Sequence, residues 1–470
     1  MELIEKAKVI NKNHYAEYME KLGMTNEAWR IFNIANLLQF IWGCEACFIS
    51  INMTRLGEHN GISIEQISLS ICLLYTMMGF GSIIVGFMTK RIGRILTLQL
   101  TTILYIIFTF ICSILPSPLN FYHVLFFRCL GNISIGVFNI VILNLLSEFL
   151  PIKNRSFILM VNSGFYNFGN FFLIILNNLI FQGGDSTKKT LFHSSDWRLV
   201  NTFTTIPGVI SILILFVYAR ESPLFLLNKN KEVEAFHIID EMSKSKNIIL
   251  TEDDKEKIKN SIQEKKNYNL HSNFRELFYK EYRYLTIGSL VICSICYLNM
   301  VGISYLVPKS IDALGTRTYN ISYNIQLLIY GFLQLPNGFI GGYMTESDLF
   351  GRKGTITVSA ILCGAFYFII YLWPKFLCFY AGEVMLFNSI AFGGAFIYVT
   401  EVFPTNLRDQ AQSFIQFFSF LIGSWSPFLI DYLPDYFFSY LFLGITNIIC
   451  AGIAHILPIE TKKRALDEDF

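Results

Sequence analysis

The chain alternates between long apolar stretches and short polar ones. Apolar runs of about 18 to 25 residues recur throughout, each long enough to cross a hydrocarbon core of roughly 30 Å as a helix. They fall near 30–52, 66–88, 95–115, 121–146, 157–181 and 199–219, then near 284–306, 321–344, 355–373, 376–399, 410–432 and 437–457. Between the two sets lies a charged stretch, Arg220 to Arg283. Within it Val233, Phe236, Ile239 and Met242 recur at helical spacing and predict an amphipathic helix. The pattern predicts an all-α integral membrane protein with twelve transmembrane helices. Its parts are a polar tail (1–29), a six-helix bundle (30–219), a central loop (220–283), a second six-helix bundle (284–457) and a tail (458–470).

The two sets share a repeated phrase. GFMTKRIGR, Gly86 to Arg94, returns as GYMTESDLFGRKG, Gly342 to Gly354. Each copy follows one apolar run and precedes another, so each reads as a tight basic hairpin, and the repeat points to a duplicated chain. The copies differ at one charge: Lys90 stands where the second copy has Asp348, while Gly93-Arg94 matches Gly351-Arg352 followed by Lys353.

Composition strengthens the membrane reading. Residues are 53% apolar and 15% charged, against roughly 25% charged in soluble domains. A net charge of +2 gives no argument for nucleic acid. All 10 cysteines fall in apolar runs, so Cys44-x-x-Cys47 and Cys293-x-x-Cys296 read as small buried residues. The 7 histidines form no H-x-x-x-H pair, which argues against a metal site, a cofactor or an enzyme. Residues 1–29 lack an apolar core followed by a small-residue cleavage site, so no cleaved signal peptide is expected. An even number of spans puts both termini on the hairpin side. Lys and Arg in the termini and central loop assign that side to the cytoplasm.

Charges inside spans cost several kcal/mol unless paired or wetted. Glu45, Arg128 and Glu383 are such charges. At 1.5 Å per residue all three lie roughly 10 Å below the surface opposite the hairpins. Their shared depth allows a carboxylate–guanidinium–carboxylate cluster. Tyr297, Asn299, Tyr305, Tyr330, Gln334 and Asn388 are candidates to face a solute, although helix–helix packing is the simpler reading of any one of them taken singly.

Several motifs, spread over nearly the whole length, carry a family resemblance. Both hairpins resemble G-x-x-x-D-x-x-G-R-[RK]. Glu148-Phe-Leu-Pro151 through Arg155 resembles E-x-x-P-x-x-x-R, and Glu401-Val-Phe-Pro404 through Arg408 repeats it. Glu221-Ser222-Pro223 with Leu226 resembles E-S-P-x-x-L, and Pro458 to Lys462 resembles P-x-E-T-K. The chain therefore resembles a major facilitator superfamily transporter of the branch that holds sugar porters and organic-ion, synaptic-vesicle type carriers.

The resemblance implies the major facilitator fold, two six-helix pseudo-repeats, and alternating access for a small organic solute. It implies gating by Gly86, Lys90, Gly93, Arg94, Glu148, Arg155, Asp348, Gly351, Arg352, Lys353, Glu401 and Arg408. Glu148 is expected to pair with Arg94 or Arg155, and Glu401 with Arg352 or Arg408. Gly43-Cys44-Glu45 stands where sugar porters carry G-Y-D, and Arg128 opens their R-x-x-x-G-x-G-x-G with Asn132 and Ser134 in place of two glycines. Glu45 is thereby implied as a proton site and Arg128 as its partner, with a static ion pair as the alternative. The sugar-binding polar set of the seventh and fifth spans is missing, which favours an organic ion over a hexose. A hexose carrier and a non-transporting receptor remain the alternatives. The implied partners are the solute, protons if transport is coupled, and the lipid bilayer of a plasma or internal vesicle membrane, around a monomer.

Overall fold

The computed structural model describes residues 14–114, 121–180, 196–268, 274–279, 282–314 and 321–462. All regular structure among them is helical. A short helix, α1 (His14–Leu22), precedes the first span, α2 (Asn26–Cys47), which starts where Thr25 accepts a hydrogen bond from the Ala28 amide. That span runs through a π-helical turn, Phe48–Asn52, into Met53–His59. There follow α3 (Ile64–Ile92), α4 (Arg94–Ile114), α5 (Phe121–Phe149), α6 (Arg155–Ile180) and α7 (Asp196–Tyr218).

The central stretch holds α8 (Pro223–Asn228), α9 (Glu232–Lys244) and α10 (Glu252–Tyr268). In α9 the buried face is Ala235, Ile238, Ile239 and Met242, with Phe236 partly covered; Val233 is 86% exposed. The helical spacing from Val233 to Met242 is real, but the buried stripe begins at Ala235, half a turn further on.

The second half comprises α11 (Arg283–Leu314), α12 (Tyr323–Leu333), α13 (Asn337–Glu346), α14 (Gly351–Leu372), α15 (Leu377–Val402), α16 (Thr405–Ser424), α17 (Ser426–Tyr432) and α18 (Tyr436–Ile456). Among the described residues, eleven helical segments are long and apolar enough to cross a membrane. The eighth span is the exception, because Pro336 has no amide proton to continue the ladder and the helix breaks between α12 and α13. Counting that broken helix, the architecture has the twelve-span form that the hydropathy implies.

The two halves meet along two seams, α3 against α16 and α6 against α12 and α13. Within the first half the spans approach closely. A Cβ on Gly136 would stand 1.8 Å from the Met78 carbonyl oxygen, and one on Gly81 would stand 1.9 Å from that of Ile133, so α3 and α5 pack backbone to backbone. Gly136 is the family-pattern glycine that this chain keeps.

Candidate functional site

On the hairpin face, each half builds the same device. In the first, Gly93 adopts φ +93° and ends α3. The Glu221 carboxylate fills the space above this glycine and accepts from the Ile95 amide at 3.1 Å, capping α4. Next in the chain, Ser222 donates to Glu148, whose other oxygen pairs with Arg94 at 2.6 Å. Tyr15 of α1 donates to the Glu148 backbone carbonyl at 3.0 Å.

In the second half Gly351 has φ +63°. Glu460 lies over it and accepts from the Arg352 amide at 2.9 Å and the Lys353 amide at 3.0 Å. Thr461, next in the chain, donates to Glu401 at 2.7 Å, and Arg352 reaches Glu401 through Nε at 3.0 Å and Nη2 at 3.2 Å. Lys353 donates to the Leu457 carbonyl, and the largely exposed Asp348 pairs with Lys462. Glycine at 93 and 351 thus supplies both a left-handed backbone and room for the capping carboxylate.

The devices are joined across the seams. Arg155 reaches Glu401 of the opposite half at 3.3 Å rather than Glu148, and Ser156 donates to Glu401 at 2.9 Å. In the reverse direction, Arg408 comes within electrostatic reach of Glu148. Asp409 accepts from Asn144 at 2.6 Å and from Thr89 at 3.3 Å. Gly86 faces Ser413, whose hydroxyl would stand 3.3 Å from a Cβ there. The side chain of Lys90 lies outside the described residues.

Deeper in the first half, Arg128 pairs with Glu45, each 1% exposed. Asn201 of α7 accepts from the same guanidinium and donates to the Thr109 carbonyl and the Ser113 hydroxyl, both at 2.7 Å. Tyr105 donates to Glu45 at 3.3 Å, and Phe48 of the π turn lies under the guanidinium, 3.6 Å from centroid to Cζ. The triplet does not form. Glu383 is part-buried in α15 with no ion pair among the described residues. A shared depth along the membrane normal leaves the direction in which each helix turns its side chain undetermined.

The midplane between the halves is aromatic. Trp42 contacts Tyr166 (5.0 Å between centroids), Phe392 (6.2 Å) and Phe420 (6.2 Å). Tyr297 contacts Phe420 (4.4 Å) and Tyr75 (6.0 Å). An amide chain runs beside them, Gln39 to Asn139 at 3.0 Å and Asn139 to Gln416 at 3.5 Å.

Of the solute-facing candidates, Tyr297 belongs to this cluster and Tyr330 is buried in α12. The Gln334 carbonyl receives Asn167 across the seam at 3.3 Å. Asn388 donates to the Cys296 carbonyl at 3.1 Å. Asn299 turns away, donating to Thr446 of α18 at 3.1 Å inside its own half. Tyr305 lies near the face opposite the hairpins, where its hydroxyl meets Asp431 at 2.5 Å and Ser68 of the other half at 3.1 Å.

With both seams and the repeated device in view, the family comparison is decisive. The model of the family described as "Sugar (and other) transporter" matches residues 15–469. The chain belongs to that family. As a transporter it is similar to Organic cation/carnitine transporter 6 of Arabidopsis thaliana, with 25% identity over 59% of this chain and 52% of the relative. It is also similar to Hexose transporter 1 of Plasmodium falciparum, with 25% identity over 65% of this chain and 63% of the relative. The chain thus aligns with between half and two thirds of the length of these two relatives. Among solved structures it resembles the major facilitator superfamily proton:xylose symporter XylE bound to 6-bromo-6-deoxy-D-glucose. That match has a TM-score of 0.73 and 18% identity and covers 93% of this chain and 97% of that one. The transporter therefore has the major facilitator fold and is a multi-pass membrane protein, not an enzyme.

Proposed function

We propose that this transporter carries a small organic cation by alternating access, its bundles at 30–219 and 284–457 rocking about the aromatic midplane. The observation that carries this reading is the cluster of Trp42, Tyr75, Tyr166, Tyr297, Phe392 and Phe420, drawn from both halves and placed between two polar closures. Aromatic faces attract a cation electrostatically and recognise quaternary ammonium groups, whereas a hexose asks for directional hydrogen bonds. The relative named for organic cations and carnitine supports the same class.

Further parts of the proposal follow from the buried charges. Glu45 is the proton-accepting group and Arg128 the partner whose charge tunes it. Arg94–Glu148, Arg352–Glu401 and Arg155–Glu401 latch the hairpin face, which is cytoplasmic by its Lys and Arg content. The protein acts as a monomer in a plasma or internal vesicle membrane.

A hexose is the second reading, supported by the amide chain Gln39–Asn139–Gln416 and by the relative named for hexose transport. Proteoliposome uptake of radiolabelled organic cations, organic anions and hexoses, with and without a pH gradient, separates the readings. Saturable, gradient-driven cation uptake that loses its pH dependence in Glu45→Gln is the expected result. Hexose uptake unaffected by cations would replace the cation reading. Ligand binding without flux of any solute would make the protein a receptor.

A further inference from the structure

The face opposite the hairpins carries a second charged cluster that the family motifs do not contain. Near the end of α11, Lys309 pairs with Asp431 at 2.8 Å, with side-chain exposures of 15% and 11%. Its ammonium lies over the Tyr305 ring, 4.1 Å from the centroid, and also donates to the Tyr305 hydroxyl. Tyr305 donates to Asp431 at 2.5 Å. Ser68 of α3 reaches across the seam to the same carboxylate and, at 3.1 Å, to Tyr305. A carboxylate, an aromatic face and a hydroxyl thus enclose one positive nitrogen, as a site that selects an ammonium ion would.

We propose that Asp431, Tyr305 and Ser68 form an ammonium-binding site on this face, that Lys309 occupies it as a tethered internal ligand, and that an entering organic cation displaces Lys309. The proposal deepens the cation reading above and rests on it for the identity of the natural solute. Two features of the surroundings fit. Pro308 sits inside α11 between Tyr305 and Lys309 and removes one rung of the helical ladder, so the turn that carries Lys309 can swing away without breaking that bond. Tyr436, within electrostatic reach of Asp431, is also within reach of Glu58 and Asp435, which places further negative charge where a cation arrives. Because Ser68 belongs to the first half and Asp431 to the second, filling the site alters a contact that closes the seam.

Equilibrium dialysis of radiolabelled choline against the purified full chain tests this. Removing the internal competitor in Lys309→Met, or in Lys309→Gln, which keeps a neutral donor for Asp431 if the methionine variant does not fold, is expected to tighten choline binding by about tenfold. Adding Asp431→Asn to either variant is expected to abolish the gain. A folded Lys309→Gln protein that binds choline no more tightly than the unaltered chain would overturn the proposal, as would a gain that survives Asp431→Asn. The cation reading fails separately. If the unaltered chain moves no organic cation in liposomes while Lys309→Gln gains choline binding through Asp431, the site stands and the transport reading falls. Robust cation flux without that gain removes only the site.

Discussion

The charged cluster on the hairpin face of the first half and that of the second are built from matching residues, yet they hold the seam by different chemistry. Glu148 and Glu401 correspond, as do Arg94 and Arg352, Glu221 and Glu460, and Ser222 and Thr461. They diverge just after the repeated motif, where Ser156 of the first half stands opposite Asp409 of the second. Glu401 gathers two arginines, one from each half, together with Ser156. Glu148 pairs directly with Arg94, and the seam beside it is tied by Asp409 to the Asn144 amide and the Thr89 hydroxyl. Asp409 also lies within electrostatic reach of Arg94. The first hairpin has Lys90 where its counterpart has an acid, and the opposite half supplies a carboxylate to that region.

The comparison is broken most severely at Glu401. In Glu401→Gln two buried arginines lose their shared carboxylate, and a loss of about 3–5 kcal/mol is expected, read as a lower unfolding midpoint in detergent. The corresponding Glu148→Gln, which strips one direct partner, is expected to cost less, so an equal or larger loss there would contradict the asymmetry. Arg155→Met leaves Glu401 with Arg352 and Ser156 and removes the charged contact that Arg155 makes with it across the seam. A loss of about 1.5–3 kcal/mol is expected, with faster thiol labelling from the hairpin face. Asp409→Asn keeps an acceptor for Asn144 but removes the charge, and about 1 kcal/mol is expected, with a weaker salt dependence of stability than in the parent. Asp348→Asn, at a side chain 87% exposed, is expected to shift stability by less than about 1 kcal/mol. A large effect there would move the weight of the second cluster from Glu401 to the hairpin tip.

These expectations also mark how far the sequence could be read. The span order was legible because an apolar run of membrane length has few other uses, and Gly93 and Gly351 were legible because hairpins need them. The break at Pro336 was visible as a proline, but an apolar run does not say whether its helix is continuous. Glu45 and Arg128 meet, whereas Glu383, placed with them by depth, does not. Residue counting gives height along a helix, while the facing direction depends on packing with neighbours far away in the chain. Lys309 lies beyond the apolar run of the seventh span, which ends near 306, whereas α11 continues to Leu314. Asn201 and Tyr105 carried no signal beyond being polar in apolar surroundings, which is the mark of many helix-packing residues as well, and Asp409 was one polar residue among several in the run from Thr405 to Gln412. Glu221 and Glu460 were visible in motifs, but their capping role requires knowing which distant helix starts beneath them.

The placement of Ser222 and Thr461 has a consequence in the order of synthesis. Ser222 emerges directly after the sixth span, so the whole contact set from Arg94 to Glu148 can assemble before the second half exists, as chains generally fold from the N-terminal end. Thr461 follows the twelfth span, and the matching set around Glu401 closes only after that span has been made. Arg155 and Asn144 are therefore inserted long before Glu401 and Asp409 arrive. During that interval the nascent first half presents to its surroundings the donors that the finished protein keeps for its own other half.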